Sequence, residues 1–257
     1  MKKLTLAVWL FLIILALASA VLAQSIDETI KTSEELSAKW DYQGTVQVYE
    51  KALPCNSDNF ELLWRLAYNY IKLGLVAKKD ENRALLYEKA ADYAGKTIAA
   101  NDNRIEGHLW LAVAQGRLAL LKGGKTKVTL SRNVKAEAEK ALKIDPNNDV
   151  ALHVMGVWNR QAATLPGILK MFAKIIYGGL PPSSKEDAVK YLEKAVSINP
   201  NFIEHRLELG NCYRSVNKWD LAKKEWGKCL ELKPIDAYDK DFQEEAKALL
   251  SEYKNRK

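Results

Sequence analysis

HRLELGNCYRSVNKWDLAKKEWGKCLELKP, residues 205–234, decides the fold. Leu209, Gly210 and Tyr213 fall on one side of a first helix, and Ala222, Trp226 and Cys229 on one side of a second. Gly210 and Ala222 are small, as close approach of two helix backbones requires. Tyr213 and Trp226 are large enough to fill the space between neighbouring layers. Pro234 stops the second helix. Pro200 and Pro234 are 34 positions apart, as are Ala188 and Ala222, Leu192 and Trp226, and Ala195 and Cys229. A helix pair recurring at this interval stacks on copies of itself to bury its apolar face.

Upstream, DAVKYLEKAVSINPN (187–201) and ALHVMGVWNRQAA (151–163) form the preceding unit. Gly156 and Gly210 lie 54 positions apart, 20 more than one period, so this unit carries an insertion. EGHLWLAVAQGRLAL (106–120) and EAEKALKIDPNND (137–149) form another, joined by LLKGGKTKVTLSRNVK, which reads as a lengthened connection. FELLWRLAYNYIKLG (60–74) pairs with a helix over roughly residues 82–100, and a degenerate helix VQVYEKAL (46–53) precedes it. DKDFQEEAKALLSEYKNRK (239–257) reads as a polar-faced helix capping the open end. The 34-residue unit, with its small residues, its aromatics and its closing proline, resembles a tetratricopeptide repeat. The expected fold is all-α: a tetratricopeptide-repeat solenoid with a 20-residue insertion in the fourth repeat and a C-terminal capping helix.

Lys2 and Lys3, the apolar run Leu4–Leu17 and the small residues Ala18, Ala20 and Ala23 have the layout of a signal peptide over residues 1–23. Cleavage after Ala23 leaves a repeat domain over 24–257 in the periplasm or secreted; the alternative is an uncleaved N-terminal membrane anchor. The formal charge of +7 is spread out, and nucleic-acid binding would want a concentrated basic face with aromatics. The cysteines Cys55, Cys212 and Cys229 form no C-x-x-C pair. Cys212 and Cys229 fall on facing helices of one unit, where a small apolar role is expected over a disulfide.

A longer match covers Asn103 to Lys254. KALKIDPNNDVALHVMGVW, the insertion with FAKIIYGGLPPSSKEDAVKYLEKA, LGNCYRSVNKWDLAKKEW and FQEEAKALL together resemble the regulator of microtubule dynamics family. GGLPPS, Gly178 to Ser183, is the most distinctive part. The resemblance implies a helical-repeat protein. It also brings the family's links to microtubules, membrane contact sites and, in one branch, lipid handling. It supports the fold far more than any named activity.

Two sites are expected. In such arrays the first helices line a concave groove, which places Trp64, Tyr68 and Lys72, then Arg117, then His153 and Arg160, then Asn211 and Arg214 along it. One cation per layer suits a protein or peptide partner with acidic groups, since a guanidinium holds a carboxylate through two hydrogen bonds; apolar neighbours also suit a lipid. The second site is the insertion 164–183. Phe172, Ile175, Ile176 and Tyr177 fall at helical spacing there, either touching a partner or membrane or folding back over the inner surface. His108, His153 and His205 start successive first helices without metal-ligand spacing, so neither a metal nor another cofactor is expected. GGKT (123–126) lacks the earlier glycine of a phosphate loop, with Ala119 in its place. The function expected is a non-catalytic protein-interaction scaffold. The alternative is a lipid-binding or membrane-apposed protein.

Overall fold

The computed structural model describes residues 26–254; the export segment expected at 1–23 lies outside them. The described residues form α-helices and one short 3-10 turn, with no strand. Helix α1 covers 26–38. Then come α2 (Tyr42–Ala52), α3 (Phe60–Val76), α4 (Asp80–Ala100), α5 (Ile105–Leu121) and α6 (Gly124–Ile144). The chain continues through α7 (Asp149–Ala163), α8 (Gly167–Tyr177), α9 (Lys185–Ile198), α10 (Ile203–Ser215), α11 (Trp219–Glu231) and α12 (Asp239–Lys254). No helix among the described residues is long and apolar enough to cross a membrane.

Helix pairs α3/α4, α5/α6, α7/α9 and α10/α11 are the stacked units, and α3, α5, α7 and α10 touch in succession along the inner wall. Polar side chains start several helices. The Leu62 amide donates to Asn59 at 3.1 Å, that of Ala151 to Asn148 at 2.9 Å and that of Asp187 to Ser184 at 2.9 Å. The 34-residue pattern maps onto the core: Ala188, Leu192, Ala195, Ala222, Trp226 and Cys229 are all fully buried. A β-carbon at Gly210 would collide with the Trp226 indole, and one at Gly156 with Leu192, so the large residue of each outer helix occupies the space that the inner glycine leaves.

Two expectations are corrected. The stretch read as a long connection after Leu120 is mostly helix, since α6 starts at Gly124 and runs 21 residues. Its Val128 and Val134 are buried, and that packing overrides the weak helix preference of Thr126, Val128 and Thr129. The insertion contains α8, which packs on α6 instead of lying over the inner surface. Arg132 of α6 donates to the Tyr177 and Gly179 carbonyls at 3.0 and 3.1 Å, and Thr129 Oγ1 lies 2.8 Å from the Tyr177 hydroxyl. Gly178, at φ 72°, ends α8 with the 179 amide donating back to the Ala173 carbonyl at 3.0 Å.

At the open end the expected capping helix is present. Helix α12 packs on α11 and α10, but the segment before it reaches the first helices. The Trp40 indole donates to the Ile235 carbonyl at 3.1 Å, and the Tyr42 hydroxyl to Asp236 at 2.6 Å. Lys72 Nζ is 3.0 Å from the same carboxylate. The two ends of the solenoid are joined.

Candidate functional site

Joining the ends turns the concave groove into a chamber. It holds about 1300 Å³ of open space continuous with solvent. Its lining includes the aliphatic side chains of Val113, Leu120, Val128, Val154, Val157 and Leu165. Tyr68 and Trp110 also line it, with ring centroids 4.6 Å apart. The Trp110 indole N–H has no acceptor among the described residues. Tyr238 lines the chamber from the C-terminal segment and donates to Asp236 at 2.9 Å.

Paired charges sit among these side chains, with Arg117 one turn after Val113 on α5 and His153 one turn before Val157 on α7. Arg117 binds Glu204 on α10, and Arg160 binds Glu208 one turn further along. Burial pushes the Glu204 carboxyl up, but Arg117 and His153 together hold it well below the usual carboxylate range. Burial alone would lower Lys72; Tyr68 and Asp236 instead raise it above the ordinary lysine value. His205 Nε2 lies 3.1 Å from Asp149, and its Nδ1 lies 3.0 Å from His153 Nδ1. With His205 Nε2 donating to the carboxylate, its Nδ1 accepts from His153. The hydrogen bonds from His205 and Asn199 lower Asp149 to about 2, and burial with the neighbouring His153 lowers His205.

The structure therefore corrects the expected row of free groove cations. Lys72, Arg117 and Arg160 each already hold a carboxylate of this chain, and Arg214 lies 3.6 Å from Glu252. Burying a cation without a partner is costly, and the joined ends bring acids of α10 and the C-terminal segment within reach. Tyr68, Lys72, Arg117 and His153 line the chamber, whereas Trp64, Arg160, Asn211 and Arg214 do not. Trp64 donates to Glu61 at 2.9 Å under the Arg65 guanidinium. Asn211, expected to hold a peptide backbone, is buried with its amide 3.4 Å from Glu208.

Sequence reasoning missed Glu204, Glu208, Asp236 and Tyr238. Glu204 and Glu208 carried a usable signal, being two acids one turn apart on a helix whose neighbours are core residues. Asp236 carried none, because its partners lie 164 and 194 positions away.

Cys212 and Cys229 are free buried thiols, each pushed up to about 12 by burial, and Cys55 is an exposed free thiol. His108 stands apart from the other two histidines, against Glu137 at 2.6 Å. No group of three or more histidine, cysteine or acidic side chains among the described residues is placed to hold a metal.

Known proteins share this architecture. A thermophilic tetratricopeptide-repeat protein of Thermus thermophilus superposes with a TM-score of 0.63 at 18% identity, over 88% of this chain and 98% of that one. Regulator of microtubule dynamics protein 1 of Mus musculus is 30% identical over 85% of this chain and 74% of its own length. The Bos taurus protein of that name is 30% identical over 76% of this chain and 62% of its own length, so the match spans less than two thirds of that relative. The Caenorhabditis elegans protein of that name is 23% identical over 87% of this chain and 98% of its own length. The family model for regulator of microtubule dynamics protein 1-3 matches residues 22–254, and the chain belongs to that family.

Proposed function

We propose that this protein is a non-catalytic protein-binding scaffold whose concave chamber encloses apolar side chains of an extended partner segment. The carrying observation is the lining of the chamber: aliphatic side chains, beside cations already neutralised by carboxylates of the same chain. An acidic segment would have to displace Glu204 from Arg117, whereas an apolar one meets Val113 and Val157 with no charge to uncover. The export segment expected at 1–23 would place this activity outside the cytoplasm or at a membrane to which the chain is anchored.

A second reading is favoured by the same aliphatic lining: an acyl chain of a lipid could occupy the same space. A photoreactive benzophenone side chain at position 157 of the full chain, with one at Glu244 as control, tests both. A peptide adduct at 157 that is absent at 244, and that disappears when Val113→Trp fills the chamber, supports the scaffold. A fatty acid or phospholipid adduct transfers the site to lipid. Equal adducts at both positions would remove the chamber from the function.

A further inference from the structure

We propose that α8 and the basic start of α6 form a docking surface for an anionic membrane. This surface is separate from the chamber and does not depend on what the chamber holds. The apolar residues of α8 are outside the core: Ile168 and Ile175 are each 72% exposed, Met171 59% and Ile176 53%. Only Ala173 of this helix is buried, on the side turned to α6. At 100° per residue, Ile168, Met171, Phe172 and Ile175 share one face, away from Ala173. A short helix with a single apolar face and basic flanks lies in the headgroup boundary with that face buried.

Charge selects the occupant. The sequence has no Asp or Glu between Glu106 and Glu137, and none between Asp149 and Glu186. These two stretches contain the start of α6 and all of α8, and they carry Lys122, Lys125, Lys127, Lys170 and Lys174. Lys125, Lys170 and Lys174 border the apolar face, while Lys122 pairs with Glu88 at 3.2 Å and Lys127 lines the chamber. Lys170 and Lys174 follow one edge along α8, and Lys125 Nζ sits 5.5 Å from the Phe172 ring centroid at the other. An apolar stripe with two lysines along one edge and one at the other matches an acyl boundary beneath phosphate headgroups. A second copy of this chain would bring the same cations against one another, and a nucleic acid would leave four aliphatic side chains in water.

The arrangement also holds α8 in place for this role. Arg132 and Thr129 fix its C-terminal end, and the Lys170 amine reaches the Ala163 carbonyl at 3.0 Å. The helix is presented by polar contacts at its ends, which leaves its apolar side unused.

The test follows the environment of one side chain. Ile175→Cys in a Cys55→Ser background is labelled with an environment-sensitive nitrobenzoxadiazole group on the full chain. Glu244→Cys, on α12, serves as control. Phosphatidylcholine vesicles are compared with vesicles containing phosphatidylserine. The expected result is a several-fold rise and blue shift of emission at 175 alone, only on the anionic vesicles, and lost at high salt. Lys174→Gln and Lys125→Gln should each weaken vesicle affinity roughly fivefold. No response at 175, or equal responses at 175 and 244, overturns the proposal. So does a rise that needs no vesicles and grows with protein concentration, which would assign the stripe to a second copy, or a rise on adding an oligonucleotide alone. None of these outcomes depends on benzophenone adducts at 157, so this proposal and the chamber reading fail separately.

Discussion

The Tyr42 hydroxyl donates a 2.6 Å hydrogen bond to the Asp236 carboxylate, which lies 194 positions later in the chain. Lys72 and Tyr238 converge on the same carboxylate, so one acid ties α2 and α3 to the segment leading into α12. A repeat array ordinarily contacts only its sequence neighbours. Here the first and last units also touch.

Removing this tie should cost stability in proportion to what it strands. Tyr42→Phe deletes one hydrogen bond and should cost about 1 kcal/mol. Asp236→Ala leaves the buried Lys72 ammonium without its carboxylate and should cost about 3 kcal/mol. Urea unfolding measures both. Small-angle scattering of the Asp236 variant should show a larger radius of gyration if the ends part; an unchanged radius with full stability would mean that the tie is incidental.

The paired charges of the chamber should behave differently from the more exposed pair of Arg214 and Glu252. Arg117→Met strands a buried Glu204 and should cost about 3–5 kcal/mol, most of it recovered when Glu204→Leu is added. Arg214→Ala removes a half-exposed cation whose carboxylate is 3.6 Å away and should cost no more than about 1 kcal/mol. Denaturation of the three variants decides this, and a cost for Arg214→Ala equal to that of Arg117→Met would contradict the assignment of buried and exposed pairs.

Gly210 and Trp226 form the tightest joint between an inner and an outer helix of the last unit. Gly210→Ala forces a methyl into the indole and should cost about 1–3 kcal/mol. Trp226→Ala empties the same joint and should cost about 3–5 kcal/mol. Combining the two should cost less than the sum, because the alanine methyl enters space that the indole has vacated. Additive melting shifts would show that the residues do not share that space.

Acid should weaken the fold in two windows. The folded His205 binds its proton less readily than the ordinary value of 6.5, so below that pH the unfolded chain takes a proton that the folded chain refuses. Stability is complete above 6.5 and falls as pH drops towards the lowered folded value. Asp149 has a folded value of about 2 against 3.8, so its contribution is present above 3.8 and is lost as pH falls through about 2. Glu204, also held down, adds to this second window. The melting temperature should fall between about pH 7 and pH 5, and His205→Gln should flatten that fall. A flat profile in the wild type would refute the first window.

The solenoid was legible because its information is local and repeated. The 34-residue recurrence of Ala188 with Ala222 and of Leu192 with Trp226 states which faces pack, and each of these residues is buried as expected. Helix α6 was misjudged at its start because a Thr- and Val-rich run reads as irregular until Val128 and Val134 find neighbours in the core. Of the expected groove cations, Lys72 and Arg117 line the chamber and Arg160 and Arg214 do not. That they are bound to carboxylates could not be read, because each pairing is set by how far the superhelix turns per unit.

The sequence by itself determined the helix pairs, their order and the small-to-large fit between inner and outer helices, since these depend on residues within one period of each other. Only the tertiary structure decided that the ends meet at Asp236, that the concave face becomes an apolar chamber with neutralised charges, and that α8 turns its apolar side outward. The physical reason is accumulation. The rotation between successive units is small and is set by many weak contacts, and its sum over the whole array fixes which distant residues come within reach of a hydrogen bond.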